Sequence, residues 1–153
     1  MREEYFARAH DCMSKLIAML KKHEGVKATA YTDSLGFLTI GAGRNVDPKS
    51  GLGLSDDEID YLLENDIIRV IKELSSEFPW FADLDDVRKD AMIDISFNLG
   101  ATKLRGFTRA LAAMQIADYD TAAHEFLNSR WALQVGNRAT ELVEIIKTGT
   151  YSL

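Results

Sequence analysis

Three side chains able to take part in acid–base chemistry lie within one short stretch of the sequence. Glu24 and Asp33 stand nine positions apart on either side of a predicted turn, and the hydroxyl of Thr39 follows six positions later. A short hairpin would gather these groups around one cleft. Two carboxyl groups in different environments are the minimum needed to cut a glycosidic bond. One donates a proton to the leaving oxygen, while the other activates a water molecule or attacks the sugar carbon.

The elements that would position these residues can be predicted from spacing. Apolar residues at helical intervals predict an amphipathic helix over about 3–22, with Gly25 as its stop. Residues 28–33 predict a short strand, 34–36 a turn, and 37–40 a strand that pairs back. The stretch therefore predicts a β-hairpin that directly follows a helix.

Helices dominate the rest of the chain. The sequence at 55–58 matches a capping box and begins a predicted long helix that reaches about residue 76. A further helix is predicted over 85–99, followed by several short ones. We expect an α+β, mostly helical fold in one domain. It would have a hairpin lobe at about 24–54 and a helical part made of 1–23 and 55–153, joined by the long helix with a cleft between them.

Composition limits the classes of function. Hydrophobic residues make up 46% and charged residues 27%, a balance typical of a folded globular chain. A single cysteine, Cys12, allows no internal disulfide, which suits a reducing compartment. No apolar run is long enough to span a bilayer, so we expect no membrane insertion, and no signal segment is recognised.

Charge argues against nucleic acid binding, and the spacing of the histidines argues against a metal site. The net charge is −6, and residues 56–94 hold thirteen acidic against four basic residues, a pattern typical of solvated helix surfaces. We expect no nucleic acid partner, because no basic stripe with interleaved aromatic residues is present. The three histidines show no metal-ligand spacing, and 41–43 lacks the lysine of a phosphate loop. We therefore expect no metal and no cofactor.

The spacing of the three reactive residues also resembles a known family. Glu24, eight residues, Asp33, five residues and Thr39 reproduce the pattern of the phage lysozyme family, the muramidases of the T-even phage type. Further matches follow in the family's order, at 97–100, 106–108, 129–131, Gln134, 137–139 and 148–150. The resemblance covers about residues 15–151. It implies a lysozyme-like fold and an endolysin that hydrolyses the β-1,4 bond between N-acetylmuramic acid and N-acetylglucosamine in peptidoglycan.

The resemblance implies a role for each catalytic candidate. Glu24 would be the general acid, and Asp33 with Thr39 would position the attacking water, giving inversion at the sugar carbon. Arg138 would support the site by ordering Glu24. Asp33 also has a plain structural reading, because the sequence at 33–36 is good turn chemistry. Both readings of Asp33 are compatible.

The family positions that contact the sugar fall on Phe97, Asn45, Ala110 and Glu125. Phe97 matches a cleft-lining position, whereas the other three carry substitutions. Trp131 is expected to lie in the core, because the family buries its counterpart. Arg44 also departs from the pattern, since it stands where the family usually has a histidine.

Two other functions remain open from the sequence. A lytic transglycosylase would act on the same polymer, although the presence of Asp33 argues against it. A catalytically silent wall-binding domain is the second alternative. For an endolysin we expect a monomer that waits in the host cytoplasm and reaches the wall in the periplasm. Its access would depend on a separate holin-type protein.

Overall fold

The structure, a computed structural model, describes the backbone of residues 2–151 and the side chains of 13–151. Contacts divide the chain into two compact units, an N-terminal unit up to Asp60 and a C-terminal unit from Tyr61. The described residues are mostly helical and also form one small antiparallel sheet, so the predicted α+β class is confirmed. In chain order the elements are α1 (Arg2–Glu24), β1 (Lys27–Thr32), β2 (Leu38–Gly41), β3 (Arg44–Asn45), α2 (Asp56–Glu77), a 3₁₀ turn (Pro79–Asp83), α3 (Asp86–Leu99), α4 (Ala101–Arg105), α5 (Thr108–Gln115), α6 (Tyr119–Leu127), α7 (Arg130–Val135) and α8 (Asn137–Thr148).

The sheet of the N-terminal unit has the order β1-β2-β3, with Thr39 on the central strand. Tyr31 pairs with Thr39 across β1 and β2, and Thr39 pairs with Asn45 across β2 and β3. The predicted hairpin is therefore confirmed. The third strand was not predicted, because its two residues carry no periodicity.

Helix α1 is slightly longer than predicted. It continues through Glu24, and the backbone N–H of Gly25 donates to the carbonyl of Lys21 at 3.0 Å. Boundaries that differ by one or two residues are ordinary, because helix ends are held by fewer hydrogen bonds. The extension makes Glu24 the last residue of the helix. The apolar positions Tyr5, Phe6 and Ala9 that helped to predict α1 have side chains outside the described residues.

Helix α2 begins at the predicted capping box, but only half of the box is formed. The carboxylate of Glu58 accepts from the backbone N–H of Ser55 at 3.4 Å and from its hydroxyl at 2.8 Å. Of the apolar positions that predicted α2, Leu74 is buried while Ile67 and Val70 are half-buried. The second half of α2 therefore joins the core. No helix in residues 2–151 has the length and apolar character needed to cross a membrane.

An aromatic group lies in the core of the C-terminal unit. The ring centroids of Phe107 and Phe126 are 5.3 Å apart, and Trp131 packs edge-on against both. Trp131 is 5% exposed, which confirms that it is a core residue. Its indole N–H donates to the side-chain oxygen of Asn98 at 2.7 Å, so the buried polar atom has a partner. Asn98 therefore links the end of α3 to α7.

Arg88 joins three helices of the C-terminal unit. Its guanidinium donates to the carbonyls of Ile146 at 2.7 Å and Lys147 at 3.2 Å, in the last turn of α8, and lies 3.7 Å from the ring centroid of Tyr119. A cation is favourable at this end of a helix. A Cβ on Gly149 would lie 2.8 Å from Nη1 of Arg88, so a side chain there would push the guanidinium away from its carbonyl partners. Arg88 therefore links α3 to α6 and to the end of α8.

Asp85 holds the other side of Arg88. Its carboxylate caps α3 by accepting from the backbone N–H of Arg88 at 3.1 Å and also accepts from Nη1 at 3.0 Å. Burial acts to raise the pKa of Asp85, but the hydrogen bonds from Arg88 outweigh it, and the pKa lies below its usual value. Asp85 is therefore charged at neutral pH and pairs with the cation.

We expect Arg88→Met to destabilise the protein by about 2–3 kcal/mol, because the methionine keeps part of the aliphatic stem but loses the charged hydrogen bonds. The urea dependence of circular dichroism measures this loss. Arg69→Met is the control, because Arg69 is 64% exposed and pairs with Asp66 one turn away. Its removal should cost about 0.5 kcal/mol or less. Equal losses in both variants would contradict the role of Arg88.

Candidate active site

Asp33 organises the turn between β1 and β2. Its Oδ1 atom accepts from the backbone N–H of Leu35 at 2.9 Å and of Phe37 at 2.8 Å. The backbone N–H of Asp33 also donates to the carbonyl of Phe37 at 2.9 Å. The predicted turn role is confirmed. Because both side-chain bonds use Oδ1, they leave Oδ2 available to another donor.

Thr39, on β2, also forms a hydrogen bond with Phe37. Its hydroxyl donates to the carbonyl of Phe37 at 3.1 Å, and Thr39 is only 4% exposed. Phe37 thus binds Asp33 through its N–H and Thr39 through its C=O. Because the hydroxyl proton of Thr39 is already donated to Phe37, Thr39 can bind a water only by accepting a hydrogen bond through its oxygen lone pairs. Phe37 was not singled out from the sequence, because this role belongs to its backbone.

Glu24 lies at the end of α1 and is exposed. A Cβ placed on Gly43 would lie 3.0 Å from Oε2 of Glu24 and 3.3 Å from its Cδ. The carboxyl group therefore lies against the turn between β2 and β3, in the same unit as Asp33 and Thr39. Gly43 has a φ of +80°, which a glycine adopts without strain.

Gly43→Ala should push the carboxyl of Glu24 aside by a few tenths of an ångström, because the added methyl carbon would lie only 3.0 Å from Oε2. Since misplacing a reacting group by about 1 Å can cost about 100-fold in rate, we expect this smaller shift to cost up to about tenfold. The rate of peptidoglycan clearing by the purified variant measures this effect. Gly53→Ala is the matched control, with a φ of +63° but no atom within 4 Å of the added Cβ. Equal loss of activity in both variants would show that backbone strain is the cause, and not contact with Glu24.

Asn45 and Arg44 order the loop that follows the sheet. The side-chain oxygen of Asn45 accepts from the backbone N–H of Asp47 at 2.9 Å. Arg44 donates to the carbonyl of Gly53 at 3.0 Å and to Glu58 at 2.9 Å. Hydrogen bonds from Ser55 and from Arg44 lower the pKa of Glu58. The arginine at the family's histidine position therefore ties the loop to α2.

Phe97 and Arg138 come together in the C-terminal unit. Both line a groove of about 360 Å³, with apolar walls that include Ile67 and Ile93. Phe97 is 44% exposed, so it is not a core residue. Arg138 donates to Oδ1 of Asp94 through Nε at 2.9 Å and Nη2 at 2.6 Å. No local sequence pattern indicates this partner, because 44 positions separate the two residues.

Ala110 and Glu125 line a second cleft of the C-terminal unit. This cleft has a volume of about 470 Å³, and its lining also includes Lys103, Phe107 and Arg109. Ala110 is 1% exposed and offers little surface, whereas Glu125 is half-buried. The substrate-binding candidates of this unit thus divide between two cavities. In the described part of the chain, no group of three or more His, Cys, Asp or Glu side chains could hold a metal ion.

Comparison with known proteins finds similar sequences along most of the chain. Residues 21–145 match the phage lysozyme family. The chain is 29% identical to a probable T4-type lysozyme of Dictyostelium discoideum, over 90% of this chain and 96% of the relative. It is 33% identical to the endolysin of Salmonella phage P22, over 72% and 77% of the two chains. An endolysin of Acyrthosiphon pisum secondary endosymbiont phage 1 is 27% identical over 87% and 88%.

A small antiparallel sheet in the N-terminal unit and a helical C-terminal unit, together with the family match, define a glycoside hydrolase of the muramidase type, which acts on peptidoglycan. The chain belongs to the phage lysozyme family, because the match spans most of its length. The resemblance drawn from Glu24, Asp33 and Thr39 is thereby confirmed at the level of the family. The roles of these three residues remain predictions.

Proposed function

We propose that the protein hydrolyses the β-1,4 bond between N-acetylmuramic acid and N-acetylglucosamine. In this mechanism Glu24 protonates the leaving glycosidic oxygen, and Asp33 accepts a proton from the attacking water. Thr39 accepts a second hydrogen bond from that water and fixes its direction. The water attacks the sugar carbon in one displacement, so the configuration at that carbon inverts.

The observation that supports this proposal best is the junction at Phe37. It holds Asp33 by Oδ1 and Thr39 by its proton, which leaves Oδ2 and a hydroxyl lone pair free to accept. In the proposed mechanism both of these acceptors bind the attacking water. Glu24 lies against Gly43 in the same unit and supplies the acid. A water held by two acceptors enters the reaction with part of its ordering already complete, which lowers the entropic part of the barrier.

Product analysis tests the proposal. Hydrolysis in water labelled with oxygen-18 should add one labelled oxygen per cut, detected by mass spectrometry of the soluble fragments. Magnetic resonance of the first product should show the α-anomer, because the bond cut is β. Fragments with an anhydro end and no added water would indicate a lytic transglycosylase instead. Retention of the β-anomer would contradict the single displacement, and absence of cleavage would indicate a silent domain.

We also propose an endolysin role, as the names of two relatives suggest. The protein would act as a monomer, remain in the host cytoplasm and reach the periplasm when a holin-type protein opens the membrane. Expression in bacterial cells should cause lysis only after the inner membrane is permeabilised. Light scattering measures the mass in solution. Lysis without permeabilisation, or a dimeric mass, would contradict the corresponding part of this proposal.

A further inference from the structure

The peptide group between Phe37 and Leu38 connects the two residues that are proposed to hold the attacking water. Its carbonyl accepts from the backbone N–H of Asp33 at 2.9 Å and from the hydroxyl of Thr39 at 3.1 Å. A carbonyl oxygen has two lone pairs, and both are used here. The orientation of this one peptide group therefore affects the position of Asp33 relative to Thr39.

The N–H end of the same peptide group belongs to Leu38 and is held by the side chain of Asp47. Oδ2 of Asp47, which is half-buried, accepts from this N–H at 3.4 Å. The backbone N–H of Val46 donates to the carbonyl of Leu38 at 2.8 Å, which keeps the two segments side by side. A carboxylate that accepts from a peptide N–H also polarises the group and makes its carbonyl a better acceptor, because linked hydrogen bonds strengthen one another.

The loop around Asp47 fixes the position of its carboxylate. The N–H of Asp47 donates to the side-chain oxygen of Asn45 at 2.9 Å, and its carbonyl accepts from the N–H of Gly51 at 2.8 Å. A Cβ on Gly51 would lie 2.6 Å from the carbonyl oxygen of Asn45, so no other residue fits without a shift of the backbone. Oδ1 of Asp47 accepts from the N–H of Lys49 at 3.0 Å, and the ring of Pro48 restricts the backbone of Asp47. The carboxylate is therefore held in one place before it meets Leu38.

We infer that Asp47 is a positioning residue for the hydrolysis. By accepting from the N–H of Leu38, it fixes the peptide group whose carbonyl binds Asp33 and Thr39. The two acceptors for the attacking water then keep one separation and one direction. This role requires no contact between Asp47 and the sugar. The inference rests on the proposed function, because the water that Asp33 and Thr39 hold belongs to that mechanism.

Steady-state kinetics on soluble glycan strands test this role. Asp47→Ala should lower kcat about tenfold and leave KM unchanged, because the peptide group can turn while the sugar contacts stay the same. The expected loss is below the cost of about 100-fold for a displacement of about 1 Å. Asp47→Asn keeps one acceptor oxygen and should give an intermediate kcat. Asp60→Asn, which changes an exposed carboxylate on α2, is the control and should keep full activity.

Hydrogen exchange of single amides, measured by magnetic resonance without substrate, distinguishes positioning from a general loosening of the loop. In Asp47→Ala the amide protons of Leu38 and Asp33 should exchange faster than in the wild type. The first has lost its acceptor, and the acceptor carbonyl of the second has become free to turn. The amide of Gly51 donates to the backbone carbonyl of residue 47, which the substitution keeps, and its exchange should not change.

Each result has a defined meaning. An unchanged kcat in Asp47→Ala would overturn the inference and leave the proposed function intact. Faster exchange at Gly51 as well would show that Asp47 only holds the loop, which also overturns it. If the wild-type protein cuts no peptidoglycan, the proposed function fails. Exchange at Asp33 then decides by itself whether Asp47 holds the peptide group.

Discussion

Glu24→Gln is expected to lower the rate of peptidoglycan hydrolysis by about 10²–10⁴-fold, the usual contribution of a general acid. Glutamine has the shape of glutamic acid but cannot donate a proton to the leaving oxygen. The measurement is the initial rate at which soluble fragments are released from purified peptidoglycan.

Folding should be unaffected in this variant, because Glu24 is exposed. Exposed substitutions usually change the free energy of unfolding by no more than about 0.5 kcal/mol. Glu64→Gln, another exposed glutamate at a helical position, is the matched control and should keep full activity. Full activity in Glu24→Gln would remove Glu24 from the mechanism, whereas a lowered melting temperature would point to a structural role.

Phe126→Ala is expected to lower the free energy of unfolding by about 3–5 kcal/mol, a large part of the stability of a small domain. Phe126 is 0% exposed and packs against both Phe107 and Trp131, so its removal leaves a cavity that the rigid neighbouring rings cannot fill. Chemical denaturation followed by circular dichroism measures the loss.

If the groove lined by Phe97 binds substrate, Phe97→Ala should affect activity more than stability, the opposite of Phe126→Ala. The same atoms are removed from a residue that is 44% exposed, so the loss of stability should be much smaller. Its activity should fall instead, through a weaker affinity for the glycan. Similar stability losses in the two variants would contradict the division between core and groove.

Local patterns predicted the fold well. The helical spacing of apolar residues gave α1 and α2 to within two residues, and the turn chemistry around Asp33 gave the hairpin. Strand β3 was missed because two residues between glycine-rich turns leave no alternation to detect. The capping box at Ser55 was only partly right, since Glu58 accepts both bonds and the serine hydroxyl donates instead of capping.

The residues of the candidate site could likewise be predicted only where the local sequence brings them together. Asp33 and Thr39 could be predicted because one hairpin brings them together, and they meet at Phe37. The partnership of Arg138 with Asp94 joins α8 to α3, and no local pattern reports a contact over such a separation. The family resemblance supplied Ala110 and Glu125, but Lys103 and Arg109, which line the same cleft, were missed because no local pattern brings α4, α5 and α6 together.

The position of Trp131 has a practical consequence for measuring stability. Trp80 and Trp131 both belong to the C-terminal unit, and residues 1–60 contain no tryptophan. Intrinsic fluorescence excited at the indole band therefore monitors one half of the molecule, whereas a helix-sensitive signal also includes α1. Coincident denaturation curves from the two probes would show a single cooperative transition. Separated curves would show that the unit carrying Glu24 and Asp33 unfolds independently. The difference between the two denaturation midpoints would then show which unit is the more stable.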